Sequence, residues 1–177
     1  ACPWAHRTMI YRKLKQLEDV ISVSVVDPLA GEHGWCFSEG PDCVPDTING
    51  VSYLHELYTL ADLKYTGRCT VPILWDKQES TIVSNESSEI IRMLNCEFDD
   101  FGNARLDLYP VDFRKEIDRV NAKVFSDVNN GVYRCGFATT QEAYEEAVKN
   151  LFETLDDLER RLETCRYLIG DRITEAD

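Results

Sequence analysis

Hydrophobic residues in the second half of the chain recur at intervals of three and four positions, the spacing of one face of an α-helix. The longest run extends over residues 144–162 and follows Thr139-x-x-Glu142, the pattern of a capping box. A shorter run over residues 113–124 follows Asp112, a residue type that is favoured at helix N-termini. The pattern predicts two helices separated by residues 129–138, in which Asn-Asn-Gly ends the first helix and a short connector follows.

The first half of the chain changes between helical and strand-like patterns. Ile10, Leu14 and Leu17 are spaced as the buried face of a helix, whereas residues 21–26 alternate with the period of two that is typical of a strand. The predicted order is a helix at 3–17, a strand at 21–26, a loop at 31–50, a helix at 51–62, strands at 70–76 and 81–84, and a helix from residue 85. With one further strand before Ala1, this order would be β-α-β-α-β-β-α.

The mixed and the all-helical segments meet in a stretch of Asp, Gly and Asn residues, which is typical of a linker. We therefore predict an α/β domain at residues 1–95, a linker at 96–111 and an all-helical domain at 112–177. A second capping-box pattern, Thr174-x-x-Asp177, would begin a helix that the sequence does not continue. We expect the chain to be a piece of a longer protein that also supplies the first strand.

The strongest chemical signal is Cys2, which stands directly before Pro3 at the predicted start of the first helix. Proline is favoured at the first helical position, so the Cys2 sulfur faces unpaired N–H groups and the positive end of the helix dipole. Both features favour the nucleophilic thiolate. Ala5 occupies the second cysteine position of a C-x-x-C motif, so disulfide chemistry here needs an external thiol. The alternative is a small buried cysteine that caps the helix.

Composition narrows the classes of partner and cofactor. The net charge of −13 argues against nucleic acid, because phosphate contacts need a basic surface. No apolar run approaches the roughly 20 residues that span a bilayer, so we expect no membrane association. The seven cysteines form no C-x-x-C pair and only three histidines are present, so we expect no metal site. Scattered cysteines suit a reducing compartment, which predicts a cytoplasmic protein.

Several motifs together resemble the glutathione transferases and, within them, the xi class, the glutathionyl-hydroquinone reductases. These motifs are Cys2-Pro3-Trp4-Ala5-His6-Arg7, Trp35, residues 70–76, residues 85–88 and residues 129–138. The resemblance covers the whole chain. It implies a glutathione transferase fold, with an α/β thioredoxin-like N-terminal domain followed by an all-α C-terminal domain, and a homodimer. The omega class shares the Cys-Pro start but lacks the Asn-Gly-Val-Tyr connector.

The resemblance also implies how glutathione, the co-substrate, would be bound. Val71, before a proline that fits a cis bond, would pair its backbone with the cysteinyl unit of glutathione. Glu86 would accept from the γ-glutamyl ammonium, and Ser87 at the helix start would bind the γ-glutamyl carboxylate. Trp35 would cover the glycyl end, although a loop tryptophan also serves local packing. Arg68 and Thr70 would add polar contacts.

The implied reaction removes glutathione from glutathionyl-hydroquinones, which are quinone-type small molecules. Cys2 would attack the glutathione sulfur, Tyr133 would donate a proton to the quinol, and a second glutathione would resolve the mixed disulfide. Two alternatives remain open. One is an omega-like thiol transferase or dehydroascorbate reductase, and the other is a non-catalytic interaction module with the same fold. Intact Cys2, Glu86 and Ser87 count against the interaction module.

Overall fold

The computed structural model describes residues 2–177, and the chain divides into two compact units, Ala1–Leu106 and Asp107–Asp177. Each unit has a hydrophobic core of its own. The division falls inside residues 96–111, the predicted linker. The domain limits at residues 95 and 112 stay predictions.

Three α-helices, one antiparallel hairpin and a 3₁₀ turn at Asp99–Phe101 make up the regular structure of the described part of the first unit. The helices and strands are α1 (Pro3–Leu14), α2 (Leu54–Ala61), β1 (Leu74–Asp76), β2 (Thr81–Ser84) and α3 (Ser87–Cys96). In the hairpin, Trp75 pairs with Ile82, and the register shifts between Leu74 and Trp75. The predicted helices and the predicted hairpin are confirmed, most of them with shorter limits than the pattern indicated.

The predicted strand at residues 21–26 is wrong, because this segment lacks a ladder of strand hydrogen bonds. Among the described residues, its only bridge joins Val25 to Val44, with N–H to carbonyl distances of 2.8 and 2.9 Å. The alternation itself is correct, since the valines of the segment are partly buried and its two serines are exposed. A segment whose side chains alternate between buried and exposed forms part of a sheet only where a neighbouring strand pairs with it along its length.

The predicted buried face of α1 is wrong at two of its three positions. Ile10 and Leu14 are 43% and 36% exposed, whereas Leu17, which lies just beyond the end of the helix, is fully buried. The helix packs against α3, and its buried positions and C-cap are Thr8, Tyr11 and Lys15. Hydrophobic spacing does not reveal a buried face that consists of a threonine, a tyrosine and a lysine.

Lys15 is fully buried and connects the end of α1 to the last turn of α3 and to the chain that follows it. Its ammonium donates to the carbonyls of Asn95 and Leu106 at 2.7 and 2.8 Å and to the Asp99 carboxylate at 2.9 Å. An ammonium has three donors, and these three acceptors offset the cost of burying its charge. A Cβ at Gly102 would collide with the Lys15 carbonyl. These contacts fix the far end of the helix that begins at Cys2.

The core of the first unit forms around α2. Leu54, Leu57 and Tyr58 are buried, and the partly buried side chains packed against them come from the loop before α2, from the segment between α2 and β1, and from the two strands. Beyond Tyr58, the next inward position of α2 is Ala61 rather than Leu60. Leu60 is 54% exposed, and Ala61 is partly buried.

The second unit is helical. It contains α4 (Arg114–Val124), α5 (Gly131–Gly136) and α6 (Gln141–Leu162), with a 3₁₀ turn at Val111–Phe113 and a π-helical turn at Phe125–Asn129. Its core consists of Ile117, Leu168 and Ile169 with partly buried neighbours. The two predicted helices are confirmed. In the part of the chain that the structure describes, no helix is both long and apolar enough to cross a membrane.

Residues 129–138 do not form the predicted non-helical connector. Asn130 has helical angles of φ −82° and ψ −24°, and α5 begins at the next residue. Gly131 is buried, and a Cβ on it would be in ordinary contact with Leu151 of α6, at 3.8 Å. An Asn-Gly pair ends a helix where one residue adopts a left-handed conformation. Here the packing of α5 against α6 keeps the backbone helical.

The start and the buried face of α6 differ in detail from the prediction. Thr140, rather than Thr139, is the N-cap, and its hydroxyl accepts from the Ala143 N–H at 3.2 Å. Of the predicted hydrophobic run, only Leu151 is buried. The buried face is completed by small or polar side chains, Ala147 and Thr154.

Candidate functional site

Cys2 occupies the N-cap of α1, directly before Pro3 at the first helical position, as the sequence predicted. Its backbone is extended, with φ −118° and ψ 120°, and its carbonyl accepts the His6 N–H at 2.9 Å. The half-buried thiol donates to the Val71 carbonyl at 3.8 Å. The fold therefore brings together two residues that are 69 positions apart.

Val71 lies in the extended segment that leads into β1. The Val71-Pro72 peptide bond is cis, so the cis alternative for this proline is confirmed. The Val71 carbonyl accepts from Cys2, while its N–H has no hydrogen-bond partner among the described residues. A half-buried backbone segment with an open N–H next to a thiol can pair with an extended peptide that carries a sulfur.

Tyr58 of α2 holds this segment in place. Its hydroxyl donates to the Thr70 carbonyl at 2.8 Å and accepts from the Thr70 N–H and the Asn85 side-chain amide, both at 3.1 Å. Tyr58 is only 2% exposed. The sequence predicted no role for Tyr58, although a tyrosine on a buried helix face needs a partner for its hydroxyl. This hydroxyl joins the segment before Val71 to the segment before α3.

Glu86 and Ser87 stand at the start of α3. Glu86 is the N-cap, and one of its carboxylate oxygens accepts from the Ser88 N–H and hydroxyl, both at 3.2 Å. The Glu86 side chain is 49% exposed, so its remaining lone pairs can accept from a ligand. Ser87 is 2% exposed and opens the helix, where backbone N–H groups and the helix dipole favour an anion.

Arg7 of α1 reaches the start of α3 and is a site residue that the sequence analysis missed. Its Nε and Nη2 atoms donate to the Ser87 hydroxyl oxygen at 3.0 and 2.7 Å, and Nη2 lies 3.9 Å from a Glu86 carboxylate oxygen. The guanidinium also lies 5.2 Å from the centre of the Trp4 ring. The only signal in the sequence was its place in the first motif, because its partners are 80 residues away.

The remaining predicted contacts lie on the loops around α2. Trp35 is partly buried against Leu54, Leu57 and Tyr58, and its carbonyl accepts from the Leu54 N–H at 2.9 Å. Arg68 is exposed, and its carbonyl accepts from the Tyr65 hydroxyl at 2.8 Å. Thr70, also exposed, is held by Tyr58. A role in binding for Trp35, Arg68 and Thr70 stays a prediction.

Burial keeps a second thiol near this segment in its neutral form. Burial raises the pKa of Cys69 above its ordinary value. Burial also raises the pKa of Tyr65, with smaller effects from Tyr58 and Cys69. Cys69 precedes Val71 by two residues, yet its raised pKa makes it a poor nucleophile at neutral pH.

Tyr133 belongs to α5 of the second unit. It is 42% exposed, and its ring is nearly parallel to that of Phe137, with ring centres 6.4 Å apart and an interplanar angle of 10°. Its predicted action on the substrate of Cys2 stays a prediction. Within residues 2–177, no three His, Cys, Asp or Glu side chains form a group that could hold a metal ion.

Residues 1–96 match the family model of the glutathione S-transferase N-terminal domain. The whole chain is 62% identical to glutathionyl-hydroquinone reductase PcpF of Sphingobium chlorophenolicum and covers 56% of that protein. It is 55% identical to glutathionyl-hydroquinone reductase YqjG of Escherichia coli K12 and covers 54% of it. The chain thus spans just over half the length of these curated relatives.

Solved structures give the same match at the level of the fold. The glutathione-bound structure of YqjG has a TM-score of 0.96 at 55% identity, over 99% of this chain and 58% of that one. The xi glutathione S-transferase of Phanerochaete chrysosporium has a TM-score of 0.96 at 53% identity, over 99% of this chain and 61% of that one. At these TM-scores, the backbone within each unit is closely similar to that of both solved structures.

Proposed function

The chain belongs to the glutathione S-transferase family, and we propose that it acts in a glutathione-dependent reductase that removes glutathione from glutathionyl-hydroquinones. The predicted xi-class resemblance and the predicted glutathione transferase fold are confirmed by the relatives and the solved structures. The observation that carries the proposal is the Cys2 thiol, placed at a helix N-terminus 3.8 Å from the Val71 carbonyl.

Glutathione would bind as an extended peptide along the Val71 segment. The open Val71 N–H and its carbonyl would pair with the cysteinyl unit, which brings the glutathione sulfur to Cys2. The acceptor-only carboxylate of Glu86 would take the γ-glutamyl ammonium. The N–H groups at the start of α3, together with Ser87, would take the γ-glutamyl carboxylate.

In the first step, the Cys2 thiolate would attack the sulfur of the glutathionyl-hydroquinone. A sulfur–sulfur bond forms, the bond between sulfur and the aromatic carbon breaks, and the electron pair of that bond stays on the ring carbon. Tyr133 would protonate this carbon as a general acid, which releases the hydroquinone. The ring is reduced, and Cys2 and glutathione are left as a mixed disulfide.

In the second step, an external glutathione would attack the glutathione sulfur of the mixed disulfide. Oxidised glutathione leaves and the Cys2 thiolate is regenerated. The external thiol is required because Ala5 stands where a C-x-x-C motif has its resolving cysteine. The sum of the two steps consumes one glutathionyl-hydroquinone and one glutathione and yields hydroquinone and oxidised glutathione.

The proposal is tested by turnover of a glutathionyl-hydroquinone with glutathione, followed by chromatography of the released hydroquinone. The expected result is stoichiometric formation of hydroquinone and oxidised glutathione. Absence of hydroquinone release from a folded protein that binds glutathione would overturn the reaction while leaving the binding site intact.

The second candidate function is an omega-like thiol transferase or dehydroascorbate reductase. It is favoured by relatives named glutathione S-transferase omega-like 2, one from Schizosaccharomyces pombe at 50% identity and one from Saccharomyces cerevisiae at 35%. The same Cys2 would serve this chemistry, because breaking a disulfide also passes through a mixed disulfide. A dehydroascorbate assay beside the hydroquinone assay separates the two functions.

A further inference from the structure

Arg7 is the site residue to which the proposed function gives no role. Two of its nitrogens, Nε and Nη2, donate to the same oxygen atom, the hydroxyl of Ser87, at 3.0 and 2.7 Å. The guanidinium is held in this position between the ring of Trp4, 5.2 Å away, and the carboxylate of Glu86, 3.9 Å away. Arg7 therefore interacts with both residues that would bind the γ-glutamyl end of glutathione, Ser87 and Glu86.

A hydroxyl group has two acceptor lone pairs and one donor proton. The two Arg7 donors occupy both acceptor positions of the Ser87 oxygen, so this hydroxyl can make its third hydrogen bond only as a donor. Ser87 is 2% exposed, and no acceptor for its proton is present among residues 2–177. A buried hydroxyl with an unused proton calls for an acceptor supplied by a ligand.

We propose that Arg7 is a positioning residue that fixes the Ser87 hydroxyl as a donor and thereby makes the start of α3 select a carboxylate. The inference rests on the proposed function, since the carboxylate is that of the γ-glutamyl unit of glutathione. Glu86 can only accept, so it takes the neighbouring ammonium. Glu86 then binds the ammonium of the γ-glutamyl unit, and Ser87 binds its carboxylate.

Lysine cannot replace arginine in this role. Its ammonium is a single nitrogen and occupies one lone pair of the Ser87 oxygen, whereas the planar guanidinium presents two parallel donors. With one lone pair vacant, the Ser87 hydroxyl can rotate and the preference for an acceptor is lost. The positive charge remains, so Arg7→Lys separates the effect of geometry from the effect of charge.

The test measures equilibrium binding of two ligands by calorimetry, in a Cys2→Ala background that prevents reaction. The ligands are glutathione and an analogue with a 4-aminobutyryl group in place of the γ-glutamyl group, which lacks only the α-carboxylate. Arg7→Lys is expected to raise the Kd of glutathione about ten-fold and to leave the Kd of the analogue within about two-fold, because a hydrogen bond to a charged group is lost only with glutathione. Ser87→Ala is expected to show the same selective loss.

The matched control is Lys13→Gln, which removes a cation from the same helix, where the exposed Lys13 ammonium pairs with Glu18. It is expected to change neither Kd. Equal weakening of both ligands by Arg7→Lys, or unchanged discrimination between them, overturns the inference and leaves the proposed function standing. If the parent protein itself binds both ligands equally, the γ-glutamyl site and the inference fall together. Should Arg7→Lys not fold, Arg7→Gln is read in the same way, because its side-chain amide also donates from a single nitrogen.

Discussion

The Cys2 thiol is the atom on which the proposed chemistry depends, while the groups proposed to hold glutathione lie on other residues. Cys2→Ala is therefore expected to abolish release of hydroquinone and to leave glutathione bound through Val71, Glu86 and Ser87. Chromatography of the products measures the first effect, and calorimetry with glutathione measures the second. Turnover retained in Cys2→Ala would assign the nucleophile to another cysteine.

Cys69→Ala is the control for this experiment. Burial raises the pKa of Cys69, so the thiol is neutral at the pH of the assay and its removal should leave turnover unchanged. A loss of activity as large as that of Cys2→Ala would contradict the assignment.

Tyr58 is the second residue whose role can be tested by itself, because its hydroxyl can be removed while its ring is kept. Tyr58→Phe leaves the Thr70 N–H and the Asn85 amide without their common acceptor. We expect a loss of about 0.5–1.5 kcal/mol in the free energy of unfolding, the typical net contribution of a hydrogen bond, because Thr70 and Asn85 are exposed and their freed groups can bind water. Glutathione binding should weaken as well, since Val71 follows Thr70. Urea unfolding and calorimetry measure the two effects.

Tyr65→Phe is the matched control, because the ring of Tyr65 lies 4.8 Å from that of Tyr58 and its hydroxyl donates to one carbonyl, that of Arg68. The expected change in the free energy of unfolding is smaller, and glutathione binding should be unaffected. Equal effects of the two substitutions would mean that ring packing, rather than the Tyr58 hydroxyl, positions the segment.

Whether a residue of the site could be predicted depended on how far away its partners lie in sequence. The positions of Cys2 and Ser87 at the starts of helices were predicted, because the signals for a helix start are local. Arg7 and Tyr58 were missed, since their partners are 80 and 12 or 27 residues away. A single sequence does not show such distant contacts. It indicates only that a polar group on a buried face needs a hydrogen-bond partner somewhere in the fold.

At the scale of elements, the predictions succeeded where a short segment contains its own hydrogen bonds. The hairpin and α3 were predicted because turn residues and helical spacing act within about ten residues. The prediction of a strand at 21–26 was wrong, since a strand needs a pairing partner and the alternation within the segment does not show whether one exists. The connector at 129–138 failed because packing of α5 against α6 overrides the tendency of Asn-Gly to end a helix.

The turn between α4 and α5 contains a carboxylate that ties it to α6. Asp127 accepts from the Thr154 hydroxyl at 3.1 Å and from the Lys123 ammonium at 3.2 Å. The hydrogen bond with Ser126, followed by that with Lys123, lowers the pKa of Asp127 below the ordinary 3.8. A carboxylate with a lowered pKa contributes stability above its unfolded pKa, and this contribution is lost as the pH falls through the folded value.

Asp127→Asn is therefore expected to destabilise the protein at neutral pH, and the difference from the parent should shrink as the pH falls below about 4. Urea unfolding followed by circular dichroism at a series of pH values measures this. Glu153→Gln removes the same charge from the exposed face of α6, where Lys149 lies 3.9 Å away, and should change stability little at any pH. A pH-independent loss in Asp127→Asn would assign the effect to packing instead of ionisation.

At the scale of the whole molecule, the sequence has a net charge of −13, and none of the helices in residues 2–177 is long and apolar enough to cross a membrane. A homodimer and a cytoplasmic location stay predictions. The proposed reaction draws its nucleophile from the first unit and its general acid from the second. Whether the general acid is needed depends on whether the leaving group is a carbon or a sulfur atom.

Breaking a carbon–sulfur bond leaves charge on an aromatic carbon that must be protonated, whereas breaking a sulfur–sulfur bond leaves a stable thiolate. A positioned general acid commonly contributes about 10²- to 10⁴-fold to a rate. Tyr133→Phe keeps the ring, including its nearly parallel arrangement with Phe137, and removes only the hydroxyl. We expect this substitution to slow reduction of a glutathionyl-hydroquinone about ten-fold or more and to change reduction of a small mixed disulfide little.

Steady-state kinetics with both substrates on the same preparation makes the comparison independent of protein concentration. The matched control is Tyr144→Phe, because Tyr144 has the same 42% exposure as Tyr133 but lies on α6. It should affect neither substrate. Equal losses on both substrates with Tyr133→Phe would assign Tyr133 to glutathione binding or packing. No loss on either would remove Tyr133 from the mechanism and favour the thiol transferase function, because exchange between sulfur atoms needs no acid to protonate carbon.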